Sequence, residues 1–508
     1  MSEYTFPSLQ SDGHILVFGL GETGLAAARW CLRNGVSLRV ADTREQPGAA
    51  AELRSVSGAD AIDWRLGAEA AADGLLDGVR SIVLSPGLSP LEEPVATLLK
   101  QAELAGVEVI GEIELFARAL ADLAEQGYTP KLLAVTGTNG KTTVTAMTRQ
   151  LLEAAGVTAM AAGNISPAAL AALADALDSD ALPQVWVLEL SSFQLETTTS
   201  LKPDAAIVLN LSQDHLDWHG SMQAYAAAKA RLLGLADIRI VNRDDAQVSA
   251  MVESLGDMEV RSFGSDLPER IGDCGMETSG DVIWLCQAQA EDFDLPAAPS
   301  RRRKVVEKPQ RAQGRNVRLM PVDALYVRGM HNALNAQAAL LLGAAVDAGL
   351  AHMLRGLRDY EGEPHRMEFV RTIGAVDFVN DSKGTNVGAT VAALQGADTP
   401  VVLIAGGLGK GQDFSPLAQA IHAHAKAVVL MGRDAQQIAA TLNESVNVVQ
   451  AESLADAVRK AYGLAEEGDT VLLSPACASM DMFRSYVHRG ESFVDEVREL
   501  ALDQGEAA

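Results

Sequence analysis

Seven consecutive residues, Gly137-Thr138-Asn139-Gly140-Lys141-Thr142-Thr143, carry the clearest chemistry in this chain. They follow the apolar run 132–136 and precede a stretch with helical periodicity. Backbone N–H groups of such a loop can cradle a polyphosphate. Lys141 can neutralise the β- and γ-oxygens, and the hydroxyl of Thr142 or Thr143 can ligate Mg²⁺. The segment reads as an ATP site, although Val135 stands where the generic GxxxxGK[ST] pattern has its first glycine.

Further chemistry lies at the carboxyl ends of other apolar runs. Glu189 ends the run 185–190, where a second Mg²⁺ contact beside a phosphate loop is needed; the other reading is a capping or ion-paired glutamate. Asp214 and His215 follow the run 205–209, and from the residues alone either could reach a metal. Gly19, Gly21 and Gly24 form GxGxxG between a strand and a helix, with Asp42 ending the next strand, about where a ribose-binding acid would sit. That pattern fits an NAD-dependent dehydrogenase as well as any other nucleotide binder.

These residues need a scaffold, and 508 residues suffice for about three domains. Apolar runs read as buried parallel strands, with Ala/Leu-periodic helices between them, predict an α/β chain in three blocks. Residues 1–111, with strands at 14–19, 37–41 and 81–85, form a Rossmann-like doubly wound domain. Residues 112–362, with strands at 131–136, 185–190 and 205–209 and a long helix at 332–349, form a central P-loop-type ATPase domain on a mostly parallel sheet. Residues 363–508, with strands at 376–380, 400–405, 427–431 and 470–474, form a second Rossmann-like domain. The basic stretch 287–318 reads as a solvated insertion between hairpin strands, with a nucleic-acid or partner-binding loop as the alternative.

A net charge of −26 opposes duplex nucleic acid and anionic membranes at long range, so an anionic ligand must be met by local donors. Cys31, Cys274, Cys286 and Cys477 contain no CxxC pair and point to neither zinc nor disulfides. Residues 1–13 lack a basic n-region and an apolar h-region, and no apolar run is long enough to span a membrane. The expectation is a cytoplasmic protein, monomeric by default.

The motifs together resemble the ATP-dependent Mur ligases, whose phosphate loop reads GTNGKT(T/S). Supporting segments are 188–196 (LELSSFQLE), Asp214-His215, 226–229, 329–335 (GMHNALN), His365-Arg366, 380–388 (NDSKGTNVG) and 474–483 (SPACASMDMF), so the match covers nearly the whole chain. The resemblance implies ligation of D-glutamate to UDP-N-acetylmuramoyl-L-alanine in peptidoglycan precursor synthesis. ATP first converts a carboxylate to an acyl phosphate, which an amine then attacks. Such chemistry needs charge stabilisation more than a nucleophilic side chain.

By resemblance, Gly21, Glu22 and Thr23 bind the UDP diphosphate, with Asp42, Thr43, Arg44, Ser85 and Gly87 around the uracil. Asn164 and Ser191 contact the muramoyl group. Lys141 and Thr142 take the ATP phosphate and Mg²⁺ positions, and Glu189 and His215 the metal and substrate-carboxylate positions. Asn332, Asn335, His365, Arg366, Asp381 and Lys383 hold ATP where the second and third domains meet, Arg366 adding charge at the γ-phosphate. Lys383, Thr385, Lys410, Ser479 and Tyr486 bind D-glutamate, although the family pattern has Phe at 486. Lys229 is implied to be a carbamate, formed with CO₂, that holds the second of two Mg²⁺ ions; the alternative is a surface lysine. Division of the ATP residues between two domains implies closure about a hinge near Gly362. Competing classes are a dehydrogenase and a non-catalytic nucleotide sensor, neither of which accounts for the later motifs.

Overall fold

A computed structural model of the chain describes residues 4–10, 12–253, 259–290, 311–397, 399–442 and 446–506. Its fold is α/β, built on three main sheets. The first is all parallel, in the order Asp63–Leu66, Leu38–Asp42, His14–Phe18, Val79–Leu84, Glu108–Ile110. The second has six parallel strands, ordered Val260–Phe263, Ile238–Asn242, Ala205–Val208, Lys131–Thr136, Val185–Glu189, Ala159–Gly163. The third also has six, with Glu368–Ile373 antiparallel to Val376–Asn380 and then Thr470–Leu473, Val401–Gly406, Ala425–Met431 and Asn447–Gln450 in parallel.

The central strands are those that read as continuous apolar runs, because helices cover both faces of a parallel sheet. Every residue of Val185–Glu189 and Val401–Gly406 is buried. The expected helix over 332–349 instead spans Met330–Ala344. A turn with Asp347 in the left-handed region separates it from a second helix, Leu350–Arg358. The basic stretch lies across the antiparallel pair Val282–Gln289 and Arg315–Pro321, joined by Cys274–Ser279 in a small three-stranded sheet. Its residues 291–310 fall outside the described residues.

The three layers are not joined alike. One hydrophobic cluster runs from Val17, Trp30 and Val83 of the first sheet's surroundings through Ile113 and Phe116 to Trp186 and Leu188 of the second. Phe116 meets Trp186 edge-on at 5.2 Å. The third sheet keeps clusters of its own. Its side chains reach the second through polar contacts, such as Lys383 on Thr142 and Asn386 on Asn139. Packing of this kind fuses the first two domains and leaves the third attached by groups that water can also satisfy. All four cysteines are buried and free, and no helix of the described residues is long and apolar enough to cross a membrane.

Candidate active site

The phosphate loop leaves the end of the strand Lys131–Thr136 and becomes the N-terminus of the helix Lys141–Ala154, with Gly140 as its N-cap at φ +82°. A side chain at Gly140 would press on Asn335 Oδ1, so the loop and the helix Met330–Ala344 approach as closely as glycine permits. Lys141 Nζ donates to the carbonyls of Gly137 and Thr138 at 2.9 and 2.8 Å, curling over its own loop. Burial holds its pKa down; Glu189 opposes this, while Arg366 and Lys383 add to it. An anion entering here would relieve both the burial penalty and the cationic crowding.

The loop opens on a cavity of about 480 Å³ lined from both the second and third domains. Thr138, Asn139, Gly140, Lys141 and Thr143 line it from the loop, and Asn332 and Asn335 from the helix above. Asn164, Glu189 and His215 line it from the strand ends, and Arg366, Asp381, Lys383, Thr385 and Tyr486 from the third domain. The Nε of Arg366 is buried without a hydrogen-bond partner among the described residues, as befits a guanidinium facing an anion site. Burial raises the Asp381 carboxyl to about 6, although Ser474 Oγ donates to it at 2.7 Å. Burial and the nearby Arg366 lower Lys383 to about 8.

Thr142 Oγ donates to Glu189 Oε2 at 2.7 Å, and Asn164 Nδ2 donates to Oε1 at 2.8 Å. A hydroxyl and a carboxylate oxygen side by side are hard donors suited to Mg²⁺, which usually takes few ligands from protein and the rest from phosphates and water. No cluster of three or more acidic, His or Cys residues that could hold a metal occurs among the described residues. Burial lowers His215 to about 4 against the pull of Asp214, with Lys410, Lys141 and Lys229 contributing. Its imidazole is therefore neutral near pH 7, the form that can ligate a metal.

Lys229 is 1% exposed, which excludes the surface-lysine alternative. Its Nζ donates to Gly137 O at 2.9 Å and to Thr136 Oγ1 at 3.3 Å, and it lies 4.7 Å from the Tyr225 ring centroid. Burial, and next Lys141, push its pKa well below the usual lysine value.

Other expected residues stand elsewhere. None of the UDP-site residues of the first domain lines this cavity. Gly21 caps the helix Glu22–Arg33, and a Cβ at Gly24 would collide with the Gly19 carbonyl. Asp42 has no oxygen to spare, accepting from the N–H of Leu20 and of Arg44 and from Arg44 Nε and Nη2. It anchors the glycine turn and aims Arg44, while Thr43, Arg44 and Gly87 are exposed and Ser85 Oγ donates to the Gly19 carbonyl. Ser191 is the N-cap of Ser192–Glu196 in a capping box with Gln194. His365 does not line the cavity; its Nδ1 is 3.0 Å from Asn380 Nδ2 and its ring packs against Gly490. Lys410 and Ser479 also lie off its wall.

Three participants were not singled out from sequence. Asn386 donates to Asn139 Oδ1 at 3.0 Å and Asp214 Oδ2 at 3.3 Å, bridging the domains. Tyr225 pairs its hydroxyl with Thr138 Oγ1 at 3.1 Å. His331, which burial lowers to about 4, lines the cavity, as do Val327, Leu334 and Ala392. Asn386 and His331 sit inside the segments 380–388 and 329–335, and Tyr225 lies one helical turn before Lys229, so position was the available signal.

A phosphate-binding loop whose cavity is completed by cationic and acidic groups from a second α/β domain defines a multidomain nucleotide-using enzyme. Three family models match the chain: the Mur ligase MurD-like N-terminal domain over residues 13–111, the Mur ligase middle domain over 135–343 and the Mur ligase glutamate ligase domain over 365–477. The UDP-N-acetylmuramoylalanine–D-glutamate ligase of Bordetella bronchiseptica is 63% identical over 497 residues, covering 97% of this chain and 98% of that protein. The ligase of the same name from Cupriavidus pinatubonensis is 55% identical over 506 residues, 98% of this chain and 99% of its own. The solved UDP-N-acetylmuramate–alanine ligase of Thermotoga maritima shares the fold at a TM-score of 0.55 and 18% identity, over 96% of this chain and 100% of that one. The chain belongs to the Mur ligase family.

Proposed function

We propose that this chain joins D-glutamate to UDP-N-acetylmuramoyl-L-alanine at the expense of ATP, as the names of its 63% and 55% identical relatives describe. The observation that carries the reading is the arrangement of Lys141 on the phosphate loop facing Arg366, Asp381 and Lys383 across one cavity. The less polar wall of Val327, His331, Leu334 and Ala392 suits a flat base, with the triphosphate running toward Lys141. The donor carboxylate attacks the γ-phosphorus, giving acyl phosphate and ADP. The D-glutamate amine then adds to the acyl carbon, and the tetrahedral adduct expels phosphate. Lys141 and Arg366 hold the charge that spreads over the transferring phosphoryl oxygens.

Thr142, Glu189 and His215 are the proposed holders of Mg²⁺. The metal supplies charge neutralisation for the phosphates when bound. Lys229 is the proposed carbamate: its amine forms a bond to CO₂ carbon, one proton leaves, and the new carboxylate offers oxygens to a second Mg²⁺. Its burial and low basicity support this, because only a neutral amine adds to CO₂. Gly21, Glu22, Thr23, Thr43, Arg44 and Gly87 are the proposed UDP contacts, and Lys383, Thr385, Lys410, Ser479 and Tyr486 the proposed contacts of the acceptor amino acid. The reading also carries a cytoplasmic, monomeric protein with small molecules as its partners. Phosphate release measured with ATP, Mg²⁺ and UDP-N-acetylmuramoyl-L-alanine should require D-glutamate. Release with L-alanine or a diamino acid instead would overturn the assignment.

A further inference from the structure

Tyr486 brings a hydroxyl to the cavity wall, and its partner is the feature to account for. Lys383 Nζ donates to Tyr486 Oη at 3.0 Å and, at the same time, to Thr142 Oγ1 at 3.2 Å. Thr142 in turn donates to Glu189 at 2.7 Å. The ammonium of a third-domain lysine is thus stretched between a third-domain hydroxyl and the first turn of the phosphate-loop helix.

The backbone that carries the hydroxyl is held firmly. Tyr486 opens the helix Tyr486–Asp503, whose N-cap Ser485 accepts from the N–H of His488. The carbonyl of Tyr486 accepts from Ser382 Oγ at 2.8 Å. Ser382 is fixed by the buried Arg489, which donates to its Oγ at 3.0 Å and to its carbonyl at 2.8 Å. Ser382 directly precedes Lys383, so lysine and tyrosine belong to one block. The tyrosine also lines the cavity. A flexible lysine has three rotatable donors and much rotamer entropy to lose. An acceptor fixed on the same block removes much of that freedom before ligands arrive.

We propose that the Tyr486 hydroxyl is a positioning residue that holds the Lys383 ammonium against Thr142, at the boundary where phosphoryl transfer and acceptor attack meet. This rests on the ligase reading and gives Tyr486 a task beyond lining the acceptor site. Phenylalanine would keep the ring, which lies 4.7 Å from Nζ, and lose only the hydroxyl.

The test is a double-mutant cycle with Tyr486→Phe and Lys383→Ala, read as single-turnover phosphate release, with KM for each substrate and the melting temperature. Tyr486→Phe should lower the rate about 10-fold, the scale of one hydrogen bond to a charged group. KM for ATP and for the UDP-linked donor should stay within about twofold, and melting should be unchanged. In the Lys383→Ala background the same substitution should change the rate less than about twofold, because its target is gone. Equal losses in both backgrounds, or a wild-type rate in Tyr486→Phe, would overturn the proposal. A wild-type enzyme without D-glutamate-dependent phosphate release would instead overturn the ligase reading.

Discussion

Replacing Lys229 by arginine tests the most unusual group packed against the phosphate loop. Nζ is buried with donations to Gly137 O at 2.9 Å and Thr136 Oγ1 at 3.3 Å, and both burial and Lys141 disfavour its charge. A neutral amine there can take up CO₂ and become an anion that complements Lys141. Arginine cannot lose its proton under any working condition and cannot form the same carbamate. Lys229→Arg therefore deletes the proposed ligand oxygens and fixes a like charge near Lys141. Loss of one electrostatic stabiliser in a water-poor site costs about 10²–10³ in kcat. With the repulsion added, we expect at least a roughly 10³-fold loss. Lys229→Glu restores an anion on a shorter stem, so it should bind Mg²⁺ more tightly than the arginine variant while turning over slowly. The assays are phosphate release across a Mg²⁺ titration and a carbamate signal by ¹³C NMR in labelled bicarbonate. A fully active Lys229→Arg enzyme would refute the reasoning.

Lys141→Ala should cut turnover by about 10²-fold or more with the fold intact by circular dichroism, and near-wild-type turnover would remove the phosphate-loop assignment. Burial raises Glu112 to about 7, with Oε1 accepting from the Leu170 N–H at 2.6 Å and Oε2 without a hydrogen-bond partner among the described residues. The folded state thus holds a proton that the unfolded chain releases near 4.5, so this contribution is full below that pH and is lost as pH rises through about 7. Relative to wild type, Glu112→Gln should gain up to about 3 kcal/mol between pH 5 and 8 in urea unfolding, at about 1.4 kcal/mol per pKa unit; a flat difference would contradict the burial argument. Since the third domain meets the second through polar pairs such as Asn139 and Asn386, ATP plus donor should reduce the radius of gyration by small-angle scattering, and identical curves would speak against closure.

Groups contiguous in the chain were legible without coordinates. Gly137–Thr143 announces itself because a phosphate cradle is made of successive backbone N–H groups, and runs such as 400–405 read as central strands because both of their faces must be apolar. Edge strands were not legible: Glu368–Ile373 and Asn447–Gln450 are only partly buried, so no continuous apolar run marks them. The break after Ala344 also escaped, since apolar residues continue across it and a single left-handed Asp347 interrupts the helix. Side-chain direction was beyond any motif. Asp42 spends its oxygens on Leu20 and Arg44, and His365 turns toward Asn380 and Gly490, although both lie in recognisable segments. The bridge from Lys383 to Thr142, and the burial that lowers the basicity of Lys229, join residues 241 and 92 or more positions from their partners. Local chemistry sets which groups the chain carries. Which of them share a low-dielectric cavity, and with what charge, follows only when distant segments pack and exclude water.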